Sequence, residues 1–140
     1  MQNSTIINTF IEQVWNREQF QLLPDLLHPA FKDYSLPATF PPGQDGLQKW
    51  ITTTSHSFKH HTQVEELVCE GNNCIAKITM HCRHIGPWRN IAATGKEVST
   101  SGYRHFKLED GRIIAHWALI DGQTLENELL GTSHGCQRAR

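Results

Sequence analysis

Charge of either sign is scarce. Lys and Arg number 13 against 14 Asp and Glu in 140 residues, for a formal net charge of −1, which argues against an electrostatic grip on nucleic acid or any other polyanion. Long hydrophobic runs are missing too. The apolar stretches are a few residues each, far short of the roughly 20 a membrane helix needs, and Met1-Gln2-Asn3-Ser4 lacks the basic start of a signal peptide. These absences read as a soluble, cytoplasmic protein with no membrane contact. Cysteine is limited to Cys69, Cys74, Cys82 and Cys136, with no C-x-x-C pair. A chain of this length does not need disulfides to offset a small core, so reduced thiols are expected, although Cys69 and Cys74 flank Glu70-Gly71-Asn72-Asn73 and would face each other across a hairpin there. No H-E-x-x-H or G-x-S-x-G occurs, and Gly43-Gln44-Asp45-Gly46 is too short for a phosphate cradle. His56 and His60 have the spacing of two ligands on one helical face but lack a third. No metal and no cofactor are expected, and the histidines 56, 60 and 61 read as a solvated loop.

What is present is pattern enough for one domain, 1–130, with 131–140 expected to be a flexible tail. A domain of this size buries roughly two thirds of its extended-chain surface, enough for a core and a small-molecule pocket. Ile6, Ile7, Phe10, Ile11, Val14 and Trp15 recur at helical spacing, with Asn3 or Ser4 as the N-cap. A short helix is expected from Pro24, a strand over 31–35, a loop over 36–43 and a third helix over 45–58 carrying Leu47, Trp50 and Ile51 on one face. Thereafter the texture is β: strands over 62–70, 73–84, 98–108 and 112–121, turning at Gly71-Asn72 and Asp110-Gly111, with a loop over 86–95. Helices first and a meander of strands afterwards predict an α+β domain, the helices packed on one face of a curved, mostly antiparallel sheet.

Alternation then assigns faces. In the last strand Ile113, Ala115, Trp117, Leu119 and Asp121 share one side, and Ile114, His116, Ala118 and Ile120 the other. With Asp110-Gly111 as the whole loop, Phe106 pairs with Ala115, Arg104 with Trp117 and Thr100 with Asp121, which puts Arg104 on the face of Asp121. A bulge would instead turn Tyr103 and His105 inward. A carboxylate ending an apolar row has its charged form disfavoured, which suits Asp121 to general acid or base work; equally, Asp121-Gly122 suits a strand end that caps the next turn. In strand 73–84 the row Ala76, Ile78, Met80, Cys82, His84 suits a core or pocket wall, and His84 at its open end is placed to orient a substrate or to serve as a structural histidine.

The run FIEQVWNREQFQLLPDLLHPAF, then PPGQDGLQKW, HCRHIGPWRNIAATGKEV, FKLEDGRIIAHWALID and the closing ELLG resembles the SnoaL-like polyketide cyclase (ester cyclase) family of the nuclear transport factor 2-like superfamily. The likeness runs over nearly the whole chain, and its most specific pieces are His84-Ile85-Gly86 with Ala93-Thr94-Gly95-Lys96, and Asp110-Gly111 leading through His116-Trp117 to Asp121. It implies a cone-shaped α+β fold. It further implies an intramolecular aldol-type cyclisation with no metal or organic cofactor, with Asp121 as acid/base. His84 and Arg104 are then candidate donors to an enolate, and Trp117, Trp15, Trp50 and Met80 candidate pocket wall around a hydrophobic ligand. Ala115 stands where many relatives carry an acidic residue, so no second carboxylate role is implied. Two functions are consistent with this reading: a cofactor-independent cyclase or isomerase on a hydrophobic carbonyl compound, or a non-catalytic binding or dimerisation module. A homodimer is expected through the sheet face away from the helices, offered by His105, His116, Ala118 and Ile120.

Overall fold

The computed structural model describes residues 2–131; the proposed tail beyond Gly131, and Cys136 within it, lie outside the described residues. The first helix, α1 (Asn3–Thr9), runs on as a π-helical segment, Phe10–Trp15. The wider π turn lets Trp15 share the buried stripe of Ile6, Ile7, Phe10, Ile11 and Val14. Neither Asn3 nor Ser4 caps it: Gln2 holds the N-cap position, and Asn3 Nδ2 donates instead to the Gly71 carbonyl at 2.9 Å. A 3-10 turn (Phe20–Leu22) leads into the single turn α2 (Leu23–Leu26), where Pro24 occupies the first turn.

Five strands follow: β1 (Leu27–Asp33), β2 (Phe58–Glu70), β3 (Asn73–His84), β4 (Glu97–Glu109) and β5 (Arg112–Ile120), with α3 (Gln44–Ser57) after β1 and α4 (Gly122–Leu130) after β5. They form one sheet in the order β1-β5-β4-β3-β2, antiparallel except for β1, which lies parallel to β5. The helices cover the inner face, where β3 buries Cys74, Ala76, Ile78, Met80, Cys82 and His84 and β4 buries Val98, Thr100, Arg104, Phe106 and Leu108. Phe10 meets Phe106 edge to face, with ring centroids 5.7 Å apart, tying the first helix to the sheet.

Four expectations are corrected. The histidines 56, 60 and 61 do not form a loop: the third helix ends at Ser57 and β2 begins at once, so His56 is in α3 and His60 and His61 are in β2. Asp110-Gly111 is the turn, with Glu109 opposite Arg112, but the register slips by one residue at Ile114: Leu108 pairs with Ile113 and Lys107 with Ala115, after which Phe106 faces His116, His105 faces Trp117 and Arg104 faces Ala118. The extra residue reverses the rest of β5, so that His116, Ala118 and Ile120 join the inner side while Trp117 and Leu119 go out. The outer face therefore carries Trp117 stacked between Tyr34 (5.1 Å) and His105 (5.0 Å), plus Tyr103 and Leu119, rather than His116, Ala118 and Ile120. Finally, Cys69 and Cys74, direct partners across the β2–β3 hairpin, form a disulfide; Cys82 is a buried free thiol.

Candidate active site

The cone encloses a cavity of about 390 Å³, within the range of small-molecule sites. Its wall is mainly apolar: Trp15 from the first helix, Trp50 from α3, Phe58, Met80 and Cys82 from β2 and β3, Ala118 and Ile120 from β5, Leu125 from α4, and Trp88 from the loop after β3. Hydroxyls of Thr53, Thr54 and Ser57 dot the α3 side, while Asp33, Ser35, Arg89 and Arg104 supply its charged and remaining polar groups.

Asp33, His116 and Arg104 form a buried chain. Parallel pairing sets Asp33 beside His116, and Asp33 Oδ2 accepts from His116 Nδ1 at 2.8 Å. Its other oxygen accepts from Ser35 N (2.9 Å) and Ser35 Oγ (2.6 Å). On the far side of the imidazole, Nε2 lies 3.4 Å from Arg104 Nη1. A guanidinium only donates, so Nε2 accepts, and the proton of a neutral His116 resides on Nδ1, facing Asp33. Arg104 also lies over the Trp15 ring at 4.3 Å. Among the described residues its Nε has no hydrogen-bond partner, although Arg104 is only 3% exposed.

The electrostatics follow from burial and pairing. Burial lowers His116 below its usual range, and Arg104 adds to this, outweighing the hydrogen bond and charge of Asp33. Burial brings Arg104 down to about 10 despite Asp33, which leaves it charged at neutral pH. Burial would raise the Asp33 carboxyl, but the hydrogen bond and electrostatics of His116 and the bonds from Ser35 hold it below the ordinary carboxylate value. At pH 7 the chain is thus a carboxylate, a neutral imidazole and a guanidinium. Burial pushes the Cys82 thiol up to about 11, so this cavity-lining sulfur is not a thiolate.

A family model for SnoaL-like polyketide cyclases matches residues 5–129. The chain belongs to that family. Among solved structures it resembles TsrD from Streptomyces laurentii (25% identity, TM-score 0.78, covering 90% of this chain and 92% of TsrD). It also resembles IdmH from Streptomyces antibioticus, a candidate polyketide cyclase (22%, 0.82, 94% and 100%), and AclR from Streptomyces galilaeus, a candidate hydroxylase (19%, 0.79, 94% and 83%). No curated protein sequence matches significantly. The fold is the α+β cone of the nuclear transport factor 2-like superfamily, and membership supports a cyclase-type role.

Of the residues expected around a ligand, Arg104, Trp15, Trp50 and Met80 line the cavity. Trp117 does not, because the Ile114 bulge puts it on the outer face, 39% exposed. Asp121 follows β5 as the N-cap of α4, its carboxylate accepting from Thr124 N (3.0 Å) and Thr124 Oγ1 (2.6 Å), and it is not among the residues lining the cavity. His84 is fully buried beside Phe58, outside the cavity wall. Its Nδ1 accepts from Thr94 N at 3.2 Å, while Gly95 N donates to the His84 carbonyl and His84 N to the Lys96 carbonyl, each at 2.9 Å. Ile85 and Gly86 donate to the Ser57 carbonyl, and a Cβ on Gly86 would collide with the His56 carbonyl oxygen, so only glycine permits that approach. The most specific family segments thus fasten the loop over 85–96 to β3 and to the end of α3. The residues missed were Asp33 and His116. Asp33 is in phase with Phe31 in its strand, which marks it as an inward carboxylate; the bulge that turns His116 inward leaves no comparable mark.

Proposed function

We propose that the cavity is the active site of a cyclase- or isomerase-type enzyme acting on a hydrophobic, polyketide-like carbonyl compound. The observation that carries this reading is the buried Asp33–His116–Arg104 chain, of which Asp33 and Arg104 line the aromatic cavity while His116 lies behind them and reaches it only when Arg104 moves. Arg104 donates to the substrate carbonyl oxygen and stabilises the enolate that forms. In turning to the ligand, Arg104 releases His116 Nε2, which takes the α-proton; Asp33 fixes the imidazole through Nδ1 and stabilises the imidazolium. The enolate carbon then bonds to a second carbonyl carbon of the same molecule, and the resulting alkoxide recovers the proton from His116. The acid/base duty expected of Asp121 passes in this scheme to the dyad, because Asp121 is engaged with Thr124. The test is α-proton exchange of 2-acetylnaphthalene in D2O followed by proton NMR. Exchange above the buffer rate is expected, with a loss of about 10²-fold in His116→Gln. A His116→Gln protein as active as the wild type would remove the imidazole from the mechanism.

The 3.4 Å contact that occupies His116 Nε2 favours a second reading, a binding module in which Arg104 anchors a ligand and never uncovers the base. Binding of the same ketone, seen as tryptophan quenching, without any exchange would select it. We also propose a homodimer through the outer sheet face, where Leu119 is 78% and Tyr103 51% exposed around the Tyr34–Trp117–His105 stack.

A further inference from the structure

Arg89 is placed at the cavity by three separate devices. It stands at the tip of a two-residue turn: Trp88 and Ile91 exchange both backbone hydrogen bonds (3.0 and 2.8 Å), and Arg89 and Asn90 have φ of 46° and 61°, a left-handed pair that side chains other than glycine seldom adopt. Its guanidinium lies 4.6 Å over the Trp88 ring. It also rests in a notch at the first turn of α4, where a Cβ on Gly122 would stand 2.6 Å from Arg89 Nη2. Among the described residues the carboxylate paired with it is Glu126, a loose contact of 3.6 Å between partly exposed groups, and Glu126 is not part of the cavity wall.

The charged side chains lining the cavity are then two guanidiniums, Arg89 and Arg104, against one carboxylate, Asp33. Asp33 has both oxygens committed to His116 and Ser35. Arg104 keeps a buried Nε–H without an acceptor among the described residues. An apolar chamber with excess positive charge, one cation buried and the other held by the loop after β3, matches a molecule with oxygen functions at both ends and an apolar body between.

We infer that the ligand is a carboxylic acid, a flat apolar ketone whose carbonyl oxygen is bound by Arg104 and whose carboxylate is bound by Arg89. Gly122 is the positioning residue that gives Arg89 its seat. This rests on the carbonyl-binding role given to Arg104 above.

The probe pair is 6-acetyl-2-naphthoic acid and its methyl ester, with affinities read by tryptophan quenching at fixed ionic strength. The wild type is expected to bind the acid about tenfold more tightly than the ester, a charge-assisted contact on a partly exposed site. In Arg89→Gln that ratio falls to within about threefold of one. Gly122→Ala does the same without unfolding the protein, because the group in its way is the mobile end of a side chain and alanine is a better helix former than glycine. Equal binding of acid and ester by the wild type, or an acid preference that survives Arg89→Gln, overturns the inference. Failure of the wild type to bind either compound overturns it together with the proposed function. Exchange of 2-acetylnaphthalene by a protein without acid preference overturns this inference alone, whereas acid preference without exchange overturns only the catalytic reading.

Discussion

Replacing Asp33 with asparagine changes one atom type and removes one charge, so its consequence tests the buried chain directly. The asparagine side chain keeps one oxygen that can accept from His116 Nδ1, at nearly unchanged volume, while its NH2 replaces the oxygen that accepts from Ser35 N and Oγ. Lost with the Ser35 backbone hydrogen bond is the negative charge that opposes Arg104, a residue 3% exposed whose guanidinium is already brought down to about 10 by burial. Breaking a directly paired buried ion pair from one side typically costs about 3–5 kcal/mol; here the His116 ring stands between the two charges, so that figure is the ceiling. With a melting temperature that moves about 4 °C per kcal/mol in a domain of this size, Asp33→Asn should melt lower than wild type by up to roughly 10–20 °C. Arg104→Met removes the other charge while keeping much of the apolar stem. In the double variant Asp33→Asn/Arg104→Met the penalty should therefore be smaller than the sum of the single ones by more than about 1 kcal/mol. Urea unfolding at pH 7.5, followed by tryptophan fluorescence, measures all four corners of the cycle. An Asp33→Asn cost below about 1 kcal/mol, or strict additivity, would refute the claim that these charges stabilise one another.

Both buried acid/base partners act on the acid side of the stability profile. His116 and His60 are held by burial below the usual histidine value, so the unfolded chain takes up protons first and stability falls as pH drops below about 6.5; Asp33, also held low, extends the loss below about 3.9. Denaturant titrations from pH 4 to 8 should show stability rising with pH and levelling near neutrality, and His116→Gln should make the fall below about pH 6.5 shallower. Reduction of Cys69–Cys74 should cost at most about 2 kcal/mol, since the bridge closes a short hairpin loop; thiol titration of the folded protein should find both unreactive until a reductant is added. Trp117→Lys with Leu119→Lys should convert a dimer to a monomer in sedimentation at tens of micromolar, and a wild type that is monomeric there would refute the outer-face proposal. Gly86→Ala should destabilise by about 2 kcal/mol or more, because the obstructing atom is the His56 backbone oxygen and not a side chain that can swing away.

The helices and strands were legible where burial is periodic. The alternation of Ala76, Ile78, Met80, Cys82 and His84 is the buried face of β3, and the Gly71-Asn72 and Asp110-Gly111 turns join the strands as expected. Met80 is picked out by phase, Trp15 and Trp50 by the family resemblance, and Arg104 reaches the inner face although the pairing with Trp117 that placed it there is replaced by one with Ala118. Less legible were features that depend on distant pairing. The parallel docking of β1 against β5 is a contact between residues about 80 positions apart, with no local periodicity to signal it. Asp121 illustrates a different limit. The same residue type that ends an apolar row also makes a good N-cap, and Thr124 three positions on decides in favour of capping. Helix α4 is not among the expected elements, although Leu125 and Leu129 are its buried face and Gly131 closes it in the left-handed conformation.

One inserted residue on β5 decides which chemistry the cone can hold. Without the slip at Ile114, Arg104 would lie across from an inward Trp117, His116 would face outward, and Asp33 would be a buried carboxylate lacking its imidazole. The slip has a neighbour in the ladder beside it. The β1–β5 ladder is also interrupted, between Leu27 and Lys32. That stretch contains Pro29, which has no N–H to give, and Ala30, whose N–H goes to the Nδ1 of His28 at 3.0 Å. Beside a β1 segment that does not pair regularly, β5 can accommodate an extra residue without straining that ladder. When β1 resumes at Lys32 and Asp33, the new phase presents His116 to Asp33 on one side of the ring and to Arg104 on the other. The proline that interrupts an edge strand is in this way coupled to the placement of the imidazole between its carboxylate and its guanidinium.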